Sequence, residues 1–288
     1  MLKKSIFTIF FLVFFAFTAV AGTDRANCFP YERLSPDKRQ YAEELLLKAL
    51  DSEALYTIVG GIKPMSSGFA TFSTTASEPR DEKLRSERQA TLAKMDLARE
   101  IFALWHCGDT DLHADLHHFA RVFDGKRTSE AVVFDRRSTA KLVTERAAFF
   151  QRWAITASSH PLQLLYAVEY ADGPSRFAGY GYLFGYPDHA VRFFVNASVE
   201  EEITGKFVER DFYSIPTFTS DTNRFVFATP KGHQEVEADR ELRARALKVL
   251  AEYRKHRERF IGEGKAGVVA MLREWFCTDG AGCSIPRY

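Results

Sequence analysis

The residues best suited to chemistry lie in one aromatic and glycine-rich stretch, residues 176–194. Its Asp188 and His189 directly follow a proline, a residue common in the first turn of a helix. An aspartate beside a histidine at a helix start can act as an acid–base or orienting pair. Tyr180 and Tyr182 alternate with glycines that would let a ligand approach the backbone closely, so both are candidate ligand-binding residues. The alternative is a glycine-bent strand that packs against a core helix and has no chemical role.

A second candidate is the loop 60–68, with the sequence GGIKPMSSG. If this loop is exposed, Lys63, Ser66 and Ser67 would contact a ligand. It is not a Walker phosphate loop, because the lysine precedes the serines and a proline follows it, and it lacks the G-x-S-x-G nucleophile motif. A tight connection between two strands is the alternative. This loop, or the later loop that contains His233, could complete a hydrolase-like site around the Asp-His pair.

A third candidate is a histidine pair, His113 and His117, which would face the same way on either a helix or a strand. Two histidines with a nearby aspartate can bind zinc, and several aspartates surround this pair. The H-E-x-x-H motif is absent and a third ligand is undefined, so a polar turn leading into a half-exposed strand is the alternative. No motif calls for an organic cofactor, and we predict none.

The four cysteines, Cys28, Cys107, Cys277 and Cys283, predict disulfides if the chain is exported. Four cysteines allow three connectivities. Glycines between Cys277 and Cys283 let the chain fold back tightly, which favours that pair and leaves Cys28 with Cys107. A reactive thiol or a metal site is the alternative, although the paired C-x-x-C spacing of zinc sites is absent.

The start of the chain predicts a cleaved secretory signal peptide over residues 1–21. Two lysines precede an apolar run at residues 6–17, and small residues ending at Ala21 suit signal peptidase. The run is shorter than the roughly 20 apolar residues that a bilayer span needs. No later apolar run is longer, so we expect a secreted or periplasmic protein without a membrane span.

Residues 22–288 are predicted to form a single globular domain. Removal of the two lysines in the leader takes the formal net charge from +1 to −1. A near-neutral chain offers no electrostatic case for nucleic acid as a partner.

The elements that must position these candidates are predicted to form an α+β fold, an antiparallel sheet of short strands packed with several helices. Two of the helices should be long, over residues 79–105 and 236–261, because apolar residues recur there at helical spacing. Residues 55–59 are predicted as a strand, and Asp124-Gly125 as the turn of a hairpin whose loop spans roughly five residues.

These patterns favour an exported soluble protein that binds or interacts with another molecule without catalysis. The alternative is an exported hydrolase-like enzyme with a site around Asp188, His189 and the Lys63–Ser67 loop. The residues specify neither a substrate nor a partner.

Overall fold

The computed structural model describes residues 25–108, 111–278 and 282–288, which fold into helices and antiparallel sheets of an α+β protein. This class is the one that the sequence predicts. The predicted signal peptide lies outside the described residues. Among the described residues, no helix combines the length and the apolar character that a membrane crossing requires.

Helices make up about half of the chain. They are α1 (Pro36–Leu50), α2 (Leu55–Ile58), α3 (Glu82–Phe102), α4 (Arg136–Glu145), α5 (Ala147–Phe150), α6 (Pro161–Glu169), α7 (Gly173–Leu183), α8 (Asp188–Thr204), α9 (Glu237–Phe260) and α10 (Val268–Phe276). The two long helices predicted from apolar periodicity are α3 and α9, with 21 and 24 residues.

The strands are β1 (Met65–Thr75), β2 (Leu112–Phe123), β3 (Lys126–Asp135), β4 (Arg210–Ile215), β5 (Phe225–Pro230), β6 (Cys277–Thr278) and β7 (Gly282–Cys283). The first three form an antiparallel sheet in the order β1-β3-β2, while β4 pairs with β5 and β6 pairs with β7. Asp124 and Gly125 both have positive φ and join β2 to β3 as a two-residue turn, because Phe123 pairs directly with Lys126.

Two predictions of local structure are wrong. Residues 55–59 were expected to form a strand, but Leu55–Ile58 is one turn of helix, α2. All four of its residues are buried, so the apolar run carries no alternation that would separate a strand from a buried helix. The second error concerns Tyr180 and its neighbours, which form helix α7 rather than a bent strand. Asp172 caps this helix by accepting a hydrogen bond from the Ser175 amide.

Helix α7 tolerates its glycines because neighbouring helices pack directly against them. A Cβ placed on Gly179 would lie 2.6 Å from a methyl group of Val168 in α6. A Cβ on Gly181 would lie 2.8 Å from a methyl group of Val191 in α8. The close packing outweighs the low helix propensity of glycine, which costs about 1 kcal/mol per residue.

The turn after α7 makes a third close contact. Gly185 has a φ of +71°, and a Cβ there would lie 3.3–3.4 Å from the Pro64 side chain and the Lys63 backbone. The loop before β1 therefore packs against the turn between α7 and α8.

Both predicted disulfides form. Cys28 pairs with Cys107 and ties the segment before α1 to the chain just after α3, while Cys277 pairs with Cys283 across β6 and β7. The four sulfur atoms lie within 4.8 Å of one another, so the two disulfides are neighbours. Disulfides of this kind fit an oxidising compartment.

We predict that Gly179→Ala lowers the free energy of unfolding by about 1–3 kcal/mol, because the new methyl group overlaps Val168. The same substitution in a Val168→Ala background should cost at least about 1 kcal/mol less, since the methyl groups it would meet are gone. Urea denaturation of the four proteins measures this coupling. Additive effects of the two substitutions would contradict the close packing of α6 and α7.

Candidate functional site

An apolar cleft of about 270 Å³ opens between helices α7 and α8 and the β4–β5 hairpin. Helix α7 contributes Phe177 and Tyr180, and Phe184 directly follows this helix; the three lie on one face because they are three, four and seven residues apart. Helix α8 contributes Val191 and Phe194 from its first two turns.

The hairpin closes the other side of the cleft. Phe212 of β4 lies opposite Ala228 of β5 in the strand register, and Val226 points to the same face two residues away. Phe212 stands at the surface with 65% of its area exposed, so this side of the cleft reaches solvent. Small residues such as Gly181 and Ala190 leave the space that the larger rings surround.

None of the described residues that line the cleft carries a charge. The hydroxyl of Tyr180 donates a hydrogen bond to Glu169 Oε2 at 2.6 Å, so this polar atom already has a partner. Burial, together with the Glu169 carboxylate, raises the pKa of Tyr180 above its ordinary value. Glu169 is itself buried and also accepts from the Ala120 amide at 2.7 Å and pairs with Arg176. The cleft is therefore suited to a neutral, apolar occupant.

The loop residues predicted to meet a ligand have other partners. Lys63 is fully buried, pairs with Glu53, and places its ammonium 4.3 Å from the Phe225 ring centroid and 5.3 Å from that of Phe184. Burial lowers the pKa of Lys63. Its charge is compensated inside the fold and is not presented to a ligand.

The serines of this loop differ in exposure. Ser66 is buried, and its hydroxyl lies 2.8 Å from that of Thr57 and donates to the Glu53 carbonyl. Ser67 is half-buried. The hypothesis of a ligand contact depends on exposure of this loop, and Lys63 and Ser66 are not exposed.

Asp188 and His189 turn to different partners although they are adjacent. Asp188 pairs with Arg146 at 2.5 Å, and the Arg146 guanidinium also lies 5.2 Å from the centre of the Tyr182 ring. His189 instead faces Asp239, with Nε2 3.2 Å from Oδ1. They do not form the acid–base pair that their sequence positions suggest.

Three segments bring His189, His233 and Asp239 together. The two imidazole rings are stacked, with centroids 5.1 Å apart and planes 14° apart, and His233 Nε2 lies 2.8 Å from Asp239 Oδ2. Asp239 lies in the first turn of α9 and was not among the sequence candidates. Acidic residues are common at helix starts, where they stabilise the helix dipole, so the sequence pattern at Asp239 indicates no further role.

The other histidine candidates lie on β2. His117 is buried against Phe119 and Tyr166, while the ring of His113 meets that of His160 at 4.5 Å. Within the described ranges, neither belongs to a group of three side chains close enough to share a metal ion.

Comparison of the chain with protein-family models, with curated proteins and with solved structures finds no match. The candidate function therefore depends on the geometry of this chain alone.

His117 should make stability depend on pH. Burial lowers its pKa to about 4, whereas in the unfolded chain it is about 6.5. Between these values the unfolded state binds more protons, so stability falls as the pH decreases from 6.5 to 4. His117→Gln should reduce this loss by up to about 3 kcal/mol, measured by urea denaturation at several pH values. An unchanged slope in the variant would show that His117 does not titrate in this way.

Proposed function

We propose that this protein is an exported binding protein that takes up a neutral, largely apolar small molecule in the cleft between α7, α8 and the β4–β5 hairpin. The observation that carries the proposal is the lining of this cleft, which is aromatic and aliphatic and reaches solvent at Phe212. Ligand sites are commonly concave and mostly apolar.

The size of the cleft limits the occupant. A volume of about 270 Å³ lies just below the usual range for drug-sized ligands, which begins at about 300 Å³. The aromatic rings of the lining, among them Phe184 and Phe194, favour flat or branched apolar groups over extended polar chains. With no charge in the lining to compensate it, a charged group on the ligand would have to stay at the mouth.

The polar residues that could carry out hydrolysis already have partners within the fold, which favours binding without catalysis. Lys63 and Ser66 are buried in contacts with Glu53 and Thr57, and Asp188 is paired with Arg146. A nucleophile needs a base within hydrogen-bond reach, and these contacts give Ser66 a different partner.

Export is supported by the leader over residues 1–21 and by the two disulfides. A signal peptide and disulfides occur together in exported proteins because the secretory compartments are oxidising.

The cleft should bind the neutral fluorescent probe N-phenyl-1-naphthylamine with one site per chain. Val226→Phe fills the cleft from β5 with a residue that suits a strand, so it should weaken binding by about tenfold or more. Fluorescence titration measures both affinities.

Phe123→Ser is the matched control. Phe123 is highly exposed, as Phe212 of the cleft is, but it lies at the end of β2 and does not line the cleft. Its loss should therefore leave the affinity for the probe unchanged. Equal affinities of the wild type and Val226→Phe would place the probe elsewhere and contradict the proposal.

Expression of the full chain in a secreting bacterial host should yield a protein that begins at Gly22. Intact mass spectrometry of the purified protein measures the loss of residues 1–21. Retention of the leader on a protein in the cytosol would contradict export, without bearing on the cleft.

A further inference from the structure

A buried carboxylate and two histidines from separate segments converge beside the cleft. His189 is the second residue of α8, His233 lies in the loop after β5, and Asp239 lies in the first turn of α9. The Phe227 ring contacts that of His189 and also lines the cleft. The three side chains therefore meet where the helices and the hairpin adjoin.

The spacing of their polar atoms suits a metal ion. One ligand atom from each residue lies within 4.8 Å of the other two, and the two nitrogen–oxygen distances are 2.8 and 3.2 Å. Tetrahedral zinc has bonds of about 2.0–2.1 Å, which place neighbouring ligand atoms about 3.3 Å apart. The distances of 2.8 and 3.2 Å run to different oxygens of Asp239, so the imidazoles would have to shift until both nitrogens reach this separation from one oxygen and from each other.

Hydrogen bonding leaves part of the cluster unsatisfied. Asp239 is 0% exposed, and its Oδ2 is paired with His233 and accepts a hydrogen bond from the Val236 amide at 3.1 Å. Its Oδ1 and the Nε2 atom of His189 are buried and lie 3.2 Å apart, but neither makes a hydrogen bond with any described residue. An unpaired buried polar atom is costly, and a cation that both atoms coordinate would remove that cost.

We propose that His189, His233 and Asp239 bind a divalent transition-metal ion of the zinc type. Two imidazoles and one carboxylate are a ligand set that zinc and its neighbours accept. The His189 side chain is 26% exposed although its Nε2 atom is buried, so the cluster lies directly beneath the surface on that side. Three protein ligands leave a coordination position for water or for a ligand group.

Zinc titration by calorimetry tests this site on the full mature protein after treatment with a chelator. The wild type should bind one equivalent of Zn²⁺. His189→Ala should weaken binding by more than the roughly 10–100-fold that loss of a residue supporting a metal ligand costs. His189 lies outside the helix cap that Asp239 forms, so this variant should fold, and circular dichroism checks that it does.

A second variant and a control make the test specific. Asp239→Asn keeps the size and the cap of Asp239 but removes its charge, so it should also lose zinc. His113→Ala disrupts the close pair of His113 with His160, which lies outside the cluster, and should bind zinc as the wild type does.

Cobalt binding distinguishes a metal site at the histidine cluster from one at the separate group of four cysteines. Bound Co²⁺ should give visible absorption bands without the near-ultraviolet band of cobalt–thiolate bonds, because the cysteines form disulfides. Absence of stoichiometric zinc binding, undiminished binding in His189→Ala, or a cobalt–thiolate band would each overturn the proposal.

Discussion

Close packing around helix α7 is the constraint on which the cleft depends. Gly179 lets Val168 of α6 contact the backbone of α7, Gly181 does the same for Val191 of α8, and Gly185 admits the loop before β1. Because neighbouring residues pack against the backbone at these three glycines, the aromatic residues of α7 form one wall of the cleft. The glycines of α7 thus act through packing.

Buried polar groups hold the surrounding elements in place. Glu169 joins α6 to α7 through Tyr180 and to β2 through an amide. Lys63 is neutralised by Glu53 between the rings of α7 and the hairpin. Paired buried charges are costly to separate, because either partner alone would remain uncompensated. These pairs hold the walls of the cleft in fixed positions. A site that is already formed loses less conformational entropy when it binds a ligand.

Local sequence patterns predicted the α+β class, the long helices α3 and α9, the Asp124-Gly125 turn and the Cys277–Cys283 disulfide. The Cys28–Cys107 disulfide joins residues 79 positions apart and followed only by elimination. Helix α7 was not predicted because its glycines pack against residues of α6 and α8. The sequence pattern of α7 alone does not contain these contacts. Burial of Lys63 was missed because its partner Glu53 lies ten residues away. The link between His189 and Asp239 joins residues 50 positions apart, and only the tertiary fold brings them together.

A crystal of the mature protein pressurised with xenon tests the apolar cleft most directly. Xenon occupies apolar cavities and needs no hydrogen bonds, so it reports space and polarity alone. A xenon atom bounded by Phe184, Phe194 and Val226 is the expected result, since these residues line the cleft. A cleft filled by its own side chains, or by hydrogen-bonded water that excludes xenon, would contradict binding of an apolar molecule there.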